Sequence, residues 1–301
     1  MSRSQSFMLL FLVVALQSCD AQVSVVVSSF KQKRCLEWQI DIFSSCPIVS
    51  HIHVNWFEPN GPAPNNTNKI TYDVLPDLIS HRFFPRKFRT QALFTTDVDV
   101  FTSCSALKIA YETWLRDKRA VVAFHPRNLR TNGTETWDEG YYYPYRHNTA
   151  YVTKGAVMHR KLFKIFFSKE YEEARRLVDR HVTGEDMLFS FMMELDHRIR
   201  GVKVICLEWK HACHVDCIQN SVLPLGLRTH SFRVPVLRQL FQMFGNPFIE
   251  YSGKEQYVWA SDRDAEAPDP VCRSINKVYG PNTPPCKEFC STSPACPHHS
   301  T

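Results

Sequence analysis

Two carboxylates one residue apart, Asp97 and Asp99, close an apolar run that begins at Ala92: Ala-Leu-Phe-Thr-Thr-Asp-Val-Asp-Val-Phe, residues 92–101. Ala92 to Val100 reads as a buried strand. If the backbone stays extended through Val98, residues i and i+2 share one side and both carboxylates face one spot. In open α/β sheets, ligands gather outside the carboxyl ends of strands. Two oxygen ligands there suit a hard divalent cation that also holds phosphate oxygens. The spacing alone is a weak signal. Asp262-Arg-Asp264 repeats it in a polar stretch, and an isolated pair of this kind reads more often as a solvated strand end. The apolar approach to Asp97 is what sets it apart.

The surrounding elements alternate. Val23 to Val27 reads as a β-branched strand, Cys35 to Cys46 as a helix carrying Leu36, Ile40, Ile42 and Phe43, and His51 to Phe57 as a second strand. Ser105 to Arg116 has helical spacing, Ala120 to Phe124 is a strand, and Glu170 to His181 is a charged helix. Thr183 opens a helix through Leu195, with Met187, Leu188, Phe191, Met192 and Leu195 on its apolar face; a late helix spans Pro235 to Phe244. Strand–helix–strand order of this kind predicts an α/β fold with a central, mostly parallel sheet flanked by helices. Glu185 and Asp186 fall in the first turn of the Thr183 helix, where the macrodipole favours ionised acids.

The chain has 301 residues, 44% of them apolar, enough for one large domain or two small ones. A net charge of +6, dispersed rather than striped, suits an anionic ligand and argues against nucleic acid as a partner. Met1-Ser-Arg3, the apolar stretch Phe7 to Leu16, and Ala21 before Gln22 read as a secretory leader over 1–21. That apolar stretch is short of the roughly 20 residues a spanning helix needs, so membrane association is expected only if the leader stays uncleaved. Beyond Cys19 in the leader, an even number of cysteines implies disulfides. Asn65-Asn66-Thr67 and Asn132-Gly133-Thr134 are glycosylation acceptor sequences. These signals agree on the lumen of the endoplasmic reticulum or Golgi, or the exterior. The core domain is placed at 22–260, with a Cys/His-rich insertion over about 197–222 and a Pro/Cys-rich tail over 261–301. His211 and His214 beside Cys206, Cys213 and Cys217 could form a zinc site, but an oxidising compartment favours disulfides.

In order and spacing, several motifs together resemble glycosyltransferase family 64, the exostosin-like transferase domain with the GT-A fold. They are Arg82-Phe-Phe-Pro85, Leu93 to Asp99, the helix containing Trp114, Pro126-Arg127, Tyr151 to Ala156, Gly184-Glu-Asp-Met-Leu188, and Gly226 to Phe248. The resemblance covers about Val23 to Tyr251. It implies a retaining transferase that moves a sugar, typically an N-acetylhexosamine, from a UDP donor with manganese (Mn2+) bound, onto a glycan or glycolipid acceptor. Asp99 would be the principal metal ligand and Asp97 its partner, both against the donor diphosphate. Asp186 would lie beneath the reacting sugar carbon, with Glu185 holding acceptor or loop. Arg233 and His230 would contact donor phosphates, Arg82 and Arg127 the nucleotide. Without the resemblance, Glu185 and Asp186 read as helix-stabilising acids, and Arg233 and His230 as surface residues.

The chain departs from the family at several points. Val98 stands where an acid is usual, and Trp56-Phe-Glu58 where the family carries an asparagine; Lys31, Gln32 and Lys33 replace a common arginine. The family often joins two cysteines at positions occupied here by Gly184 and Val236, so both halves of that bridge are missing together. Tyr141, Tyr142, Tyr143, Tyr145 and Tyr151 could stack on an acceptor sugar or simply pack a loop. The alternative function is a degenerate member that binds glycans without turnover, or a secreted interaction protein whose Cys-rich segments carry the activity.

Overall fold

The computed structural model describes residues 22–29, 33–57, 61–124, 126–127, 150–151, 153–199, 204–206, 212–214, 233–245 and 257–259. The chain runs β1 (Val23–Ser29), α1 (Lys33–Ser45), β2 (Val49–Phe57), β3 (Ile70–Leu75), a 3-10 turn (Ile79–Phe83), β4 (Ala92–Asp97) and β5 (Val100–Thr102). It continues through α2 (Cys104–Arg116), β6 (Val121–Ala123), β7 (Pro126–Arg127), β8 (Ala150–Tyr151), β9 (Ala156–His159), α3 (Lys161–Phe166), α4 (Glu172–His181) and α5 (Glu185–Leu195). Last come β10 (Val204–Cys206), β11 (Ala212–His214), α6 (Arg233–Phe244) and β12 (Tyr257–Trp259).

Eight strands form the main sheet in the order β12-β10-β6-β9-β4-β1-β2-β3. β9 alone runs against its neighbours β4 and β6, and every other pairing in this sheet is parallel. The expected mixed α/β architecture is therefore present. Alternation along the strands splits the core in two. Val23, Val25 and Val27 of β1 pack with Leu36 and Phe43 of α1 and Leu107 and Trp114 of α2. Val26 and Leu93 face the other layer, where Phe163, Leu177, Met187, Phe191 and Leu237 supply α3 to α6. A disulfide joins Cys46, just past α1, to Cys104 at the start of α2 and pins the two helices of the first layer together.

The structure corrects two expectations. The strand does not run on through Val98: β4 stops at Asp97, residues 98 and 99 turn, and β5 starts at Val100. The cause is Val98 itself, buried at 4% exposure in the α1/α2 core, which draws the chain off the sheet. The i, i+2 argument for Asp97 and Asp99 therefore fails, and their proximity rests on the turn. The Cys/His-rich segment, expected to stand apart, is woven into the fold. β10 lies in the main sheet between β6 and β12, and β11 pairs antiparallel with β5, His214 opposite Val100. The side chains of that segment's cysteines and histidines, the residues 1–21, the tyrosine-bearing stretch 131–148 and the tail lie outside the described residues. Among the described residues, no helix is long and apolar enough to cross a membrane.

Candidate active site

The carboxyl ends of the parallel strands carry a row of polar residues in register: Asp73 on β3, Asn55 on β2, Ser28 on β1 and Asp97 on β4. The segment Arg82 to Arg86 crosses this row. Arg86 donates to Asn55 Oδ1 at 2.6 Å and pairs with Asp73. Asn55 Nδ2 donates to Ser28 Oγ at 3.3 Å and to the Arg82 carbonyl at 3.0 Å. Asn55 thus fixes the backbone of Arg82 above the end of β4.

Arg82 sits at the close of the 3-10 turn, and its neighbour Phe83 anchors it. Phe83 is buried against Phe166 (4.9 Å between ring centres) and Phe189 of α5 (4.7 Å). At the start of that turn, Ser80 donates from its N–H and its hydroxyl to Asp179 of α4, both at 2.8 Å. So held, Arg82 Nη1 lies 3.1 Å from Asp97 Oδ1 and 2.8 Å from Glu185 Oε1. Burial works against its charge, but Asp97, Glu185, Asp99 and Asp186 outweigh that and hold the guanidinium more firmly protonated than an ordinary arginine. Arg82 thus bridges two carboxylates directly and feels two more. Glu185 differs: burial above all, with smaller help from Asp186 and Asp97, pushes its carboxyl up to about 7 even though Arg82 pulls the other way.

The turn carrying Asp99 is held from below. Gln39 of α1 donates one amide group to the Asp97 carbonyl at 2.7 Å and the Val100 carbonyl at 2.8 Å. Thr96 Oγ1 adds a bond to Val100 O at 2.9 Å, and Val98 N–H donates to Ser28 O at 3.1 Å. The sequence reasoning missed Gln39 and Asn55. Gln39 had a legible signal: it interrupts the buried stripe Leu36–Phe43 of an otherwise amphipathic helix.

Glu185 and Asp186 open α5, at 7% and 5% exposure. Asp186 Oδ1 accepts from Met187 N–H at 2.9 Å, and its carbonyl accepts from Ser190 Oγ at 3.0 Å. Gly184 precedes them with φ +92° and ψ 11°, a left-handed conformation that suits glycine. A Cβ built there would meet Val236 Cγ1 at 2.7 Å and Met187 Cε at 2.9 Å. Gly184 and Val236 are thus in contact, at the two positions where the resemblance implied a lost disulfide. Their contact seats the first turn of α6, which opens with Arg233, beside the start of α5.

Of the sequence-derived site residues, Asp97, Asp99, Arg82, Glu185 and Asp186 come together, and Arg233 lies on the neighbouring helix start. Arg127 pairs with Ala150 through the backbone of β7 and β8, and its side chain is outside the described residues, as is the whole of His230. Among the described residues, no group of three or more His, Cys, Asp or Glu side chains is gathered as a metal cage. The donor set is instead two carboxylates flanking one turn. That fits a hard cation completing its shell with phosphate oxygens and water.

With this geometry in hand, the comparisons are direct. The glycosyl transferase family 64 domain profile matches residues 23–254. The chain belongs to this family. A curated relative, glycosylinositol phosphorylceramide mannosyl transferase 1 of Arabidopsis thaliana, is 21% identical over 197 residues, covering 56% of this chain. The chain spans 58% of that relative's length. Solved structures with some likeness include 2-C-methyl-D-erythritol 4-phosphate cytidylyltransferase of Francisella tularensis, 15% identical, at a TM-score of 0.40 over 62% of this chain and 90% of that one. The 4-diphosphocytidyl-2C-methyl-D-erythritol synthase of Anaerococcus prevotii is 13% identical, at 0.37 over 73% and 99%.

Two outcomes test this geometry. Gly184→Ala is expected to lose about 1–3 kcal/mol in chemical denaturation, because it forces a left-handed alanine into Val236. The pair Gly184→Cys and Val236→Cys is instead expected to bridge, since the Gly184 Cβ position lies 3.5 Å from Val236 Cβ, inside disulfide range. Two free thiols in the oxidised protein would contradict the contact. The second outcome concerns Glu185. Its folded carboxyl titrates near 7 against an ordinary 4.5, so the folded state holds the extra proton between those values and its stability falls as pH rises through them. Melting temperatures across that window are expected to drop for the wild type relative to Glu185→Gln. Parallel curves would contradict the raised carboxyl.

Proposed function

We propose that the chain is a metal-dependent transferase that moves a sugar, with retention, from a nucleotide-diphosphate donor to a glycan or glycolipid acceptor. One observation carries this reading: Arg82 bridges Asp97 and Glu185 at the carboxyl edge of a mostly parallel sheet, where ligands of such sheets gather, with Asp99 and Asp186 close enough to act on its charge. Family membership supports it.

Asp97 and Asp99 would hold a divalent cation, manganese by family resemblance, and Glu185 and Asp186 lie across from them. When bound, the cation would supply charge neutralisation on the diphosphate. The chain's own residues do the rest. Asp186, its carboxylate oriented by Met187 N–H and its backbone carbonyl bonded by Ser190, would face the developing positive charge on the sugar carbon. Arg233 and His230 take the departing phosphates through charge-assisted hydrogen bonds. Arg82 keeps Asp97 and Glu185 at fixed distance so that both ends of the donor meet prepared groups. The acceptor hydroxyl enters on the face that the nucleotide leaves, and no covalent intermediate is required.

The resemblance favours a UDP-N-acetylhexosamine, whereas the Arabidopsis relative is named for mannose transfer, and the departures at Val98 and Trp56-Phe-Glu58 leave the donor open. Nucleotide release from UDP-N-acetylglucosamine, UDP-N-acetylgalactosamine and GDP-mannose in manganese decides between them. Turnover of one donor is expected, abolished by chelation and cut about 100-fold or more by Asp99→Ala and by Asp186→Asn. Activity that survives Asp99→Ala contradicts the metal assignment. Binding without turnover of any donor supports the degenerate, glycan-binding alternative.

A further inference from the structure

The outer edge of the main sheet is stitched to the loop before it, and that loop contains one of the two acceptor sequences. β3 is the terminal strand: β2 pairs its inner side, and among the described residues no strand pairs its outer side. Open edges template pairing with other chains. The ladder to β2 begins with Ile52 N–H donating to Lys69 O at 2.8 Å, so Ile70, Tyr72 and Val74 turn their main-chain groups outward.

The loop answers the first two. Ile70 N–H donates to Thr67 Oγ1 at 3.1 Å, and Thr67 N–H donates to Ile70 O at 2.8 Å. Tyr72 N–H donates to Asn66 Oδ1 at 2.7 Å. Val74 is left at the edge, 59% exposed. The loop runs back along the strand, Thr67 beside Ile70 and Asn66 beside Tyr72. Asn65, the next residue back along this loop, is exposed beside that edge. Asn66 and Thr67 use their side chains to close the edge, and Asn65 is the acceptor position.

We propose that Asn65 carries an N-linked glycan that covers the outer edge of β3 at Val74 and keeps the sheet from pairing with a second chain. The donor is a lipid-diphosphate-linked oligosaccharide of the secretory lumen. A bond forms between Asn65 Nδ2 and the anomeric carbon, the carbon–oxygen bond to the lipid diphosphate breaks, and the amide loses one proton as the diphosphate departs. No redox step is involved. Transfer precedes closure of the loop, because in the fold Thr67 Oγ1 is engaged by Ile70. A hydrophilic glycan beside an exposed valine does the work that lysine or proline does on other edge strands.

The test uses the full chain with its own leader in a eukaryotic secretory host. Peptide mapping after amidase treatment in heavy-oxygen water is expected to find Asn65 converted to labelled Asp, and Asn65→Gln is expected to lose the mass of one glycan. That variant, and the enzymatically deglycosylated wild type, are expected to show rising light scattering on gentle warming with an unchanged melting transition. Adding Val74→Lys to Asn65→Gln is expected to restore the monomer. An unoccupied Asn65 overturns the proposal. An occupied Asn65 whose loss leaves the protein as monomeric as the wild type overturns the shielding role.

Discussion

The Arg82 guanidinium joins carboxylates from two distant parts of the chain, Asp97 and Glu185, with Asp99 and Asp186 close enough to act on its charge. Asp97 and Asp99 come from the end of a strand, Glu185 and Asp186 from the start of a helix on the same face of the sheet. Brought together without a cation, such groups would repel one another in a low-dielectric setting. Arg82 makes their assembly tolerable before any ligand arrives, while burial above all keeps the Glu185 carboxyl raised.

Everything that fixes Arg82 is ordinary fold chemistry. Phe83 buries into the aromatic cluster of α3 and α5. Asn55, itself clamped by Arg86, holds the Arg82 carbonyl. Gln39 plays the matching role under the opposite pair, using one buried amide to close the turn between Asp97 and Val100. Pairing of β11 with β5 adds a strand to the stretch just beyond Asp99, so a segment far along the chain braces the motif.

The long apolar runs and amphipathic helices were legible because burial sets their period: β1, β2, α1, α2, α4 and α5 fall where alternation or helical spacing puts them, and β4 starts there. β3 was not, since an edge strand buried on one side only has little apolar signature. β5, β10, β11 and β12 are three residues each, too short for any period to show. The acidic pair was legible as chemistry but not as geometry, because whether Val98 stays in the strand depends on a core pocket that only the folded α1 and α2 provide. The co-absence of cysteines at 184 and 236 was legible, and the contact of Gly184 with Val236 gives it a physical basis.

Arg82 acts as the counter-charge of the acidic cluster rather than as packing. Thermal unfolding of Arg82→Met in metal-free buffer tests it most directly, because methionine keeps the apolar stem and removes the charge. The variant is predicted to melt far below the wild type at pH 7.5, with the deficit shrinking as acid protonates Glu185 toward pH 4.5. A deficit that is the same at both pH values would contradict the claim.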